Sequence, residues 1–218
     1  MSLRPLPYGP RSWFVYAAFL MIGLAAPAHA KDIHILAFGD SLTAGYGLKQ
    51  GQGFAPQLED ALRRHGISAF VVNAGVSGDT TAGGRSRIGW TLDGLKQKPD
   101  LAIIALGGND MLRGIAPGQT RADLDFILAE LKRRNIRTLV AGMMAAPNLG
   151  PAYGTAFNRI FPDLAKKYGA PLYPFFLDGV TGNAGLNLPD RIHPNFQGIK
   201  QMVTRILPYI LETLGKRS

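Results

Sequence analysis

The 218 residues carry 24 Lys and Arg against 15 Asp and Glu, a net charge of +9, with 46% hydrophobic residues and a mean hydropathy of +0.04. That length and composition suit one domain with a full core, and the absence of cysteine excludes disulfides, thiolate metal sites and a cysteine nucleophile. The basic residues are scattered, and no aromatic residues are interleaved with them. A nucleic-acid platform is therefore not expected, while weak attraction to an anionic membrane surface stays open.

Met1–Ala30 reads as a secretory signal peptide. Arg4 and Arg11 give a positive start, Trp13–Ala26 is uncharged and mainly apolar, and Ala28-His29-Ala30 forms an A-x-A cleavage site behind Pro27. The apolar run falls short of the about 20 residues a bilayer span needs. The expected mature protein is a single domain, residues 31–218, starting at Lys31 in the periplasm or outside the cell.

Ile33–Phe38 is the first expected strand, ending at Gly39-Asp40-Ser41. Phe54–His65 has a helical stripe of Phe54, Leu58, Ala61 and Leu62, stopped by Gly66. Ala69–Asn73 is the second strand and runs into Asn73-Ala74-Gly75. Asp79 or Thr80 can cap a helix through Ile88 to Leu95. Leu101–Leu106, continuously apolar, suits a strand buried on both faces and ends in Gly107-Gly108-Asn109-Asp110. Thr120–Arg134 is a helix with Thr120 as its cap and a stripe of Leu124, Ile127, Leu128 and Leu131. Arg137–Met143 is the fourth strand, Met144–Gly154 a Gly/Pro-rich loop, Tyr153–Tyr168 a helix and Pro171–Phe176 a short fifth strand. Asp178–Pro194 is an irregular loop before a last helix, Phe196–Leu214, which Pro208 should kink.

This alternation of strands and helices predicts a parallel sheet with helices on both faces, and ligands then bind beyond the carboxyl ends of the strands. The Gly-rich stretches after strands one, two and three converge there. Ser41 sits where a strand stops and a helix begins, among unpaired N–H groups and the positive end of the helix dipole. Asp190 and His193, three residues apart in the last loop, can place a carboxylate on one imidazole nitrogen and leave the other facing outward. Alone, that spacing more often means a capping Asp beside an ordinary His; it gains weight from following a five-strand α/β pattern that opens with Gly-Asp-Ser. His34 and His65 suit structural roles, and no spacing suggests a metal site. Oxyanion donors are expected at Ser41 N–H, Gly75 N–H and the Asn109 amide, although a simple turn at Gly75 and a capping role for Asn109 are the bland alternatives. Asp40, Asp79 and Asp110 are read as helix caps.

Gly39-Asp40-Ser41-Leu42, Gly75, Gly107-Gly108-Asn109-Asp110 and Asp190-x-x-His193, in this order across nearly all of the mature chain, resemble the SGNH/GDSL hydrolases. The Ser77–Thr80 turn and His193-Pro194-Asn195 are similar to the bacterial arylesterase and multifunctional thioesterase–lysophospholipase group. The resemblance implies a three-layer α/β/α flavodoxin-like domain with a five-stranded parallel sheet. It implies Ser41 as nucleophile, His193 as base, Asp190 as its partner, and Ser41, Gly75 and Asn109 as oxyanion donors. No metal or organic cofactor is implied. Gly39-Asp40-Ser41-Leu42-Thr43 departs from the Gly-x-Ser-x-Gly elbow of α/β-hydrolases, and Gly45-x-Gly47-x-x-x-Gly51 from nucleotide-binding loops. Met111, Met144 and Pro147, in the loops Met111–Gln119 and Met144–Gly154, are expected to bind an acyl or aryl group. A carbohydrate O-acetylesterase and a non-catalytic binding module are the competing readings.

Overall fold

The computed structural model describes Met1 and residues 32–215. Apart from Met1, the expected leader lies outside the described residues. The sheet contains β1 (Ile33–Gly39), β2 (Ala69–Gly75), β3 (Leu101–Ala105), β4 (Arg137–Ala141) and β5 (Leu172–Tyr173). All pairs are parallel, in the order β2-β1-β3-β4-β5. β3 is buried along its whole length, as its unbroken apolar run requires of a strand covered on both sides. Truncating Ile104, which is buried there, should cost about 2–5 kcal/mol.

The helices are α1 (Ser41–Ala44), α2 (Phe54–Arg64), α3 (Thr81–Asp93), α4 (Gly108–Leu112), α5 (Pro117–Arg133), α6 (Pro151–Asn158), α7 (Ile160–Tyr168) and α8 (Phe196–Thr213). α2 packs with α8, and α3 with α5 and α5 with α7, giving two helical layers around the sheet. The three-layer α/β/α domain is therefore as expected. The strand order reverses between β1 and β3, and a crevice opens at such a switch point beyond the carboxyl ends. Ser41 follows β1 and Asn109 follows β3, one on each side of it.

Several boundaries differ for physical reasons. α5 starts at Pro117, whose fixed φ and missing N–H suit a first helical position. Thr120 is therefore inside the helix and not its cap, and its hydroxyl donates to Asp110 at 3.2 Å. The expected helix Tyr153–Tyr168 is two helices joined at Arg159. β5 shrinks to Leu172–Tyr173 because Pro171 and Pro174 bound it and neither can donate to a ladder. Pro208 is accommodated inside α8.

Candidate active site

β1 ends at Gly39 because the chain must pass close to its neighbours. A Cβ there would lie 2.2 Å from Thr43 Oγ1 and 2.6 Å from the Ala105 carbonyl oxygen. Asp40 is the N-cap of α1 and accepts the Leu42 N–H at 3.0 Å. Ser41 takes the first helical position, where the N–H has no acceptor within the helix.

The last loop brings the imidazole to this serine. Asn187 bridges to Pro194, and Leu188 N–H donates to the His193 carbonyl at 2.7 Å, so the segment between them is a closed turn. Arg191 adopts a left-handed φ of 58° inside it. Asp190 Oδ1 accepts the backbone N–H groups of Ile192 and His193 at 2.9 and 3.0 Å. Asp190 Oδ2 lies 2.7 Å from His193 Nδ1, and His193 Nε2 lies 2.9 Å from Ser41 Oγ. With the Nδ1 proton donated to Asp190, Nε2 is free to accept from the serine hydroxyl. The His193 backbone and ring bonds, with the Ile192 N–H, hold the Asp190 carboxyl down at about 2. Tyr46 packs against the imidazole, its ring centroid 4.4 Å from that of His193 and the planes tilted by 37°.

Asn109 sits in the first turn of α4. Its amide donates to the Asp79 carbonyl at 2.9 Å and, more weakly, to Asp40 Oδ2 at 3.4 Å. Burial raises the Asp40 carboxyl to about 6, against the opposing effects of the Leu42 N–H bond and the His193 charge. Asp79 does not cap α3: Thr80 does, and Asp79 pairs with Arg87 at 2.6 Å. Asp110 does not cap its own helix either. It is buried and accepts the Thr81 backbone N–H at 2.9 Å and the Thr81 hydroxyl, so it caps the start of α3 from a neighbouring element.

Gly75 differs from expectation. Its N–H donates to Asn73 Oδ1 at 2.9 Å and is not free for a substrate. The residue is glycine because α1 passes over it: a Cβ would lie 2.2 Å from Ala44 N and 2.8 Å from the Asp40 carbonyl oxygen. A donor without an acceptor among the described residues lies three residues further on. Gly78 has a left-handed φ of 83°, and its N–H has no acceptor among the described residues. Its turn is held from both sides, by Arg113 on the Gly78 carbonyl at 2.8 Å and by Asn109 on that of Asp79. The Ser77–Thr80 block contained this signal in the sequence.

A cavity of about 510 Å³ opens in front of Ser41 and His193. Met111, Met144 and Pro147 all line it, with Met143, Ala145, Ala146, Phe175 and Leu177 making its wall largely apolar. Leu112, Met144 and Ile192 are lining residues that also stand 57%, 51% and 49% exposed, forming an apolar rim.

The chain has relatives among known proteins. The profile of the GDSL-like lipase/acylhydrolase family matches residues 37–200. The chain belongs to the SGNH/GDSL hydrolase family. Esterase TesA of Pseudomonas aeruginosa is 38% identical to this SGNH chain over 198 residues, 91% of this chain and 96% of that one. Thioesterase 1/protease 1/lysophospholipase L1 of Escherichia coli is 37% identical, covering 84% and 85%. The solved structure of AlinE4, an SGNH-hydrolase family esterase, is 49% identical with a TM-score of 0.73, covering 85% of this chain and 98% of that one. The protein is therefore an SGNH-family hydrolase acting on ester bonds of small substrates.

Proposed function

We propose that the protein is an exported serine esterase working through Ser41, His193 and Asp190 and an acyl-enzyme. The observation that carries this reading is the chain of contacts from Asp190 through His193 to Ser41, at 2.7 and 2.9 Å, facing the cavity. His193 Nε2 takes the Ser41 proton as Oγ attacks the ester or thioester carbonyl. Negative charge then develops on the carbonyl oxygen. Ser41 N–H, Gly78 N–H in place of Gly75, and the Asn109 amide hydrogen that otherwise reaches Asp40 only at 3.4 Å stabilise it. The tetrahedral species collapses as His193 returns the proton to the leaving alcohol or thiol. Water, deprotonated by the same imidazole, attacks the acyl-enzyme and releases the acid and Ser41.

The substrates we assign are aryl esters and short to medium acyl esters, with thioesters and lysophospholipids as further members of the class. The apolar lining and its three methionines, Met111, Met143 and Met144, suit a flexible acyl chain better than an acetylated sugar. The names of the TesA and thioesterase–lysophospholipase relatives point the same way. The leader motif at residues 1–30 supports a periplasmic or secreted location, where such esters can be met. A series of p-nitrophenyl esters of increasing acyl length, run beside acetylated sugars, tests the reading. Preference for chains longer than acetyl supports it, and preference for acetyl-sugars would replace it with the O-acetylesterase reading.

A further inference from the structure

Arg87 is the one buried arginine among the described residues, at 7% exposed, and the mechanism above gives it no part. It projects from α3 under the carboxyl ends of β1 and β2. Its Nε donates to Asp79 Oδ2 at 2.6 Å, its Nη1 to the Ala74 carbonyl at 2.9 Å and its Nη2 to the Gly39 carbonyl at 2.9 Å. The guanidinium plane covers the Phe38 ring, 3.9 Å from the centroid.

These acceptors have a common property. Gly39 lies two residues before Ser41. Ala74 is where β2 leads into the Val76–Asp79 turn. Asp79 follows Gly78, and its carbonyl receives the Asn109 amide at 2.9 Å. One planar fork thus ties together the backbone segments that carry the Ser41 and Gly78 N–H groups, and the Asp79 carbonyl in turn holds the Asn109 amide. A buried guanidinium is expensive to desolvate, and an apolar side chain of similar volume often serves stability as well. What the apolar side chain cannot do is fix three acceptors, from the end of β1 and from the β2–turn segment, relative to one another. A lysine ammonium lacks the fork as well.

We propose that Arg87 is the positioning residue of the oxyanion hole, holding the strand end before Ser41 and the Gly78–Asp79 turn, and through it Asn109, in register for the transition state. The proposal rests on the oxyanion assignment given under the proposed function. It predicts damage to kcat and not to substrate binding, because the donors meet their full charge only in the transition state.

The test compares Arg87→Lys, Asn109→Ala and the double variant on p-nitrophenyl butyrate, with circular dichroism and the thermal midpoint recorded for each. Arg87→Lys is expected to lower kcat by about 10- to 100-fold with KM changed by less than about 3-fold. In the Asn109→Ala background the same change should cost less than about 3-fold, because the two act on one donor set. If Arg87→Lys does not fold, Asp79→Asn, which keeps the shape but weakens the Nε contact, should still lower kcat and show the same non-additivity. A folded Arg87→Lys with wild-type kcat overturns the proposal, as does a loss that multiplies fully with that of Asn109→Ala. Failure of the underlying reading looks different: Ser41→Ala would then keep wild-type activity, whatever Arg87→Lys does.

Discussion

Two hollows among the described residues can be compared, and the larger of the two is lined by none of Ser41, Asn109 and His193. A groove of about 580 Å³ lies at the amino ends of β4 and β5, lined by Lys132, Arg137, Thr138, Tyr168, Gly169 and Glu212 among others. The cavity of about 510 Å³ at the opposite edge contains Ser41, Asn109 and His193. The groove is where α5, α7 and α8 end, so helix carbonyls crowd towards it and cationic side chains are the natural complement. The cavity is where α1 and α4 begin, and unpaired N–H groups face it. Hollow volume alone does not mark the site. The direction of the chain does, because the helices of a parallel α/β fold begin, with free N–H groups, at the carboxyl edge of the sheet and end, with free carbonyls, at the amino edge.

The largest effect expected on the cavity side is that of Ser41→Ala, which should lower kcat by at least about 10³–10⁴-fold while the thermal midpoint stays close to wild type. A purified, folded variant with wild-type ester hydrolysis would remove Ser41 from the chemistry. Asn109→Ala should cost about 10²–10³-fold in kcat in steady-state assays, and an unchanged kcat would leave Asn109 with only its contact to the Asp79 turn.

Asp40 gives a pH-dependent test of the same edge. Its carboxyl is raised to about 6 by burial. Between about pH 4 and pH 6 the native state holds a proton that the unfolded chain has released, so stability falls as pH rises through that window. Above it the full deficit is present, at most about 3 kcal/mol. Asp40→Asn removes the titration. Relative to wild type it should therefore gain stability in denaturant unfolding between acid and weakly alkaline buffer, and a pH-independent difference would contradict the raised value. Met144→Ser should reduce the ratio of kcat/KM for octanoyl over butyryl esters by about 10-fold. At the other edge Arg137→Ala should change kcat/KM by less than about 2-fold, and a larger loss would mean that the groove takes part after all.

The sequence carried the fold because its signals were local. The unbroken run Leu101–Leu106 and the stripe on Phe54–His65 each specify an element and its buried side without reference to the rest of the chain. Ser41, Asn109, Asp190 and His193 were legible for a related reason: each sits at a turn whose residue types are unusual, and the topology then brings the turns to one edge. What was not legible depended on which polar groups pair once the chain is folded, whether the partner is near or distant in sequence. Thr120 has the side chain of a cap, but Pro117 starts the helix and Asp110 takes the Thr120 hydroxyl. Gly75 has the residue type of a donor, but the Asn73 side chain takes its N–H, while the Gly78 N–H has no acceptor among the described residues. Arg87 reads as one more basic residue on a helix, since nothing near it in sequence announces that three carbonyl and carboxylate groups from other segments converge on it.

The central claim is that Ser41 is the nucleophile and that His193 activates it. The most direct measurement is treatment with a fluorophosphonate followed by peptide mapping by mass spectrometry. One adduct on Ser41 is expected in the wild-type protein, none in Ser41→Ala, and strongly slowed labelling in His193→Ala. An adduct at another residue, or an active esterase that takes no label at Ser41, would contradict the account.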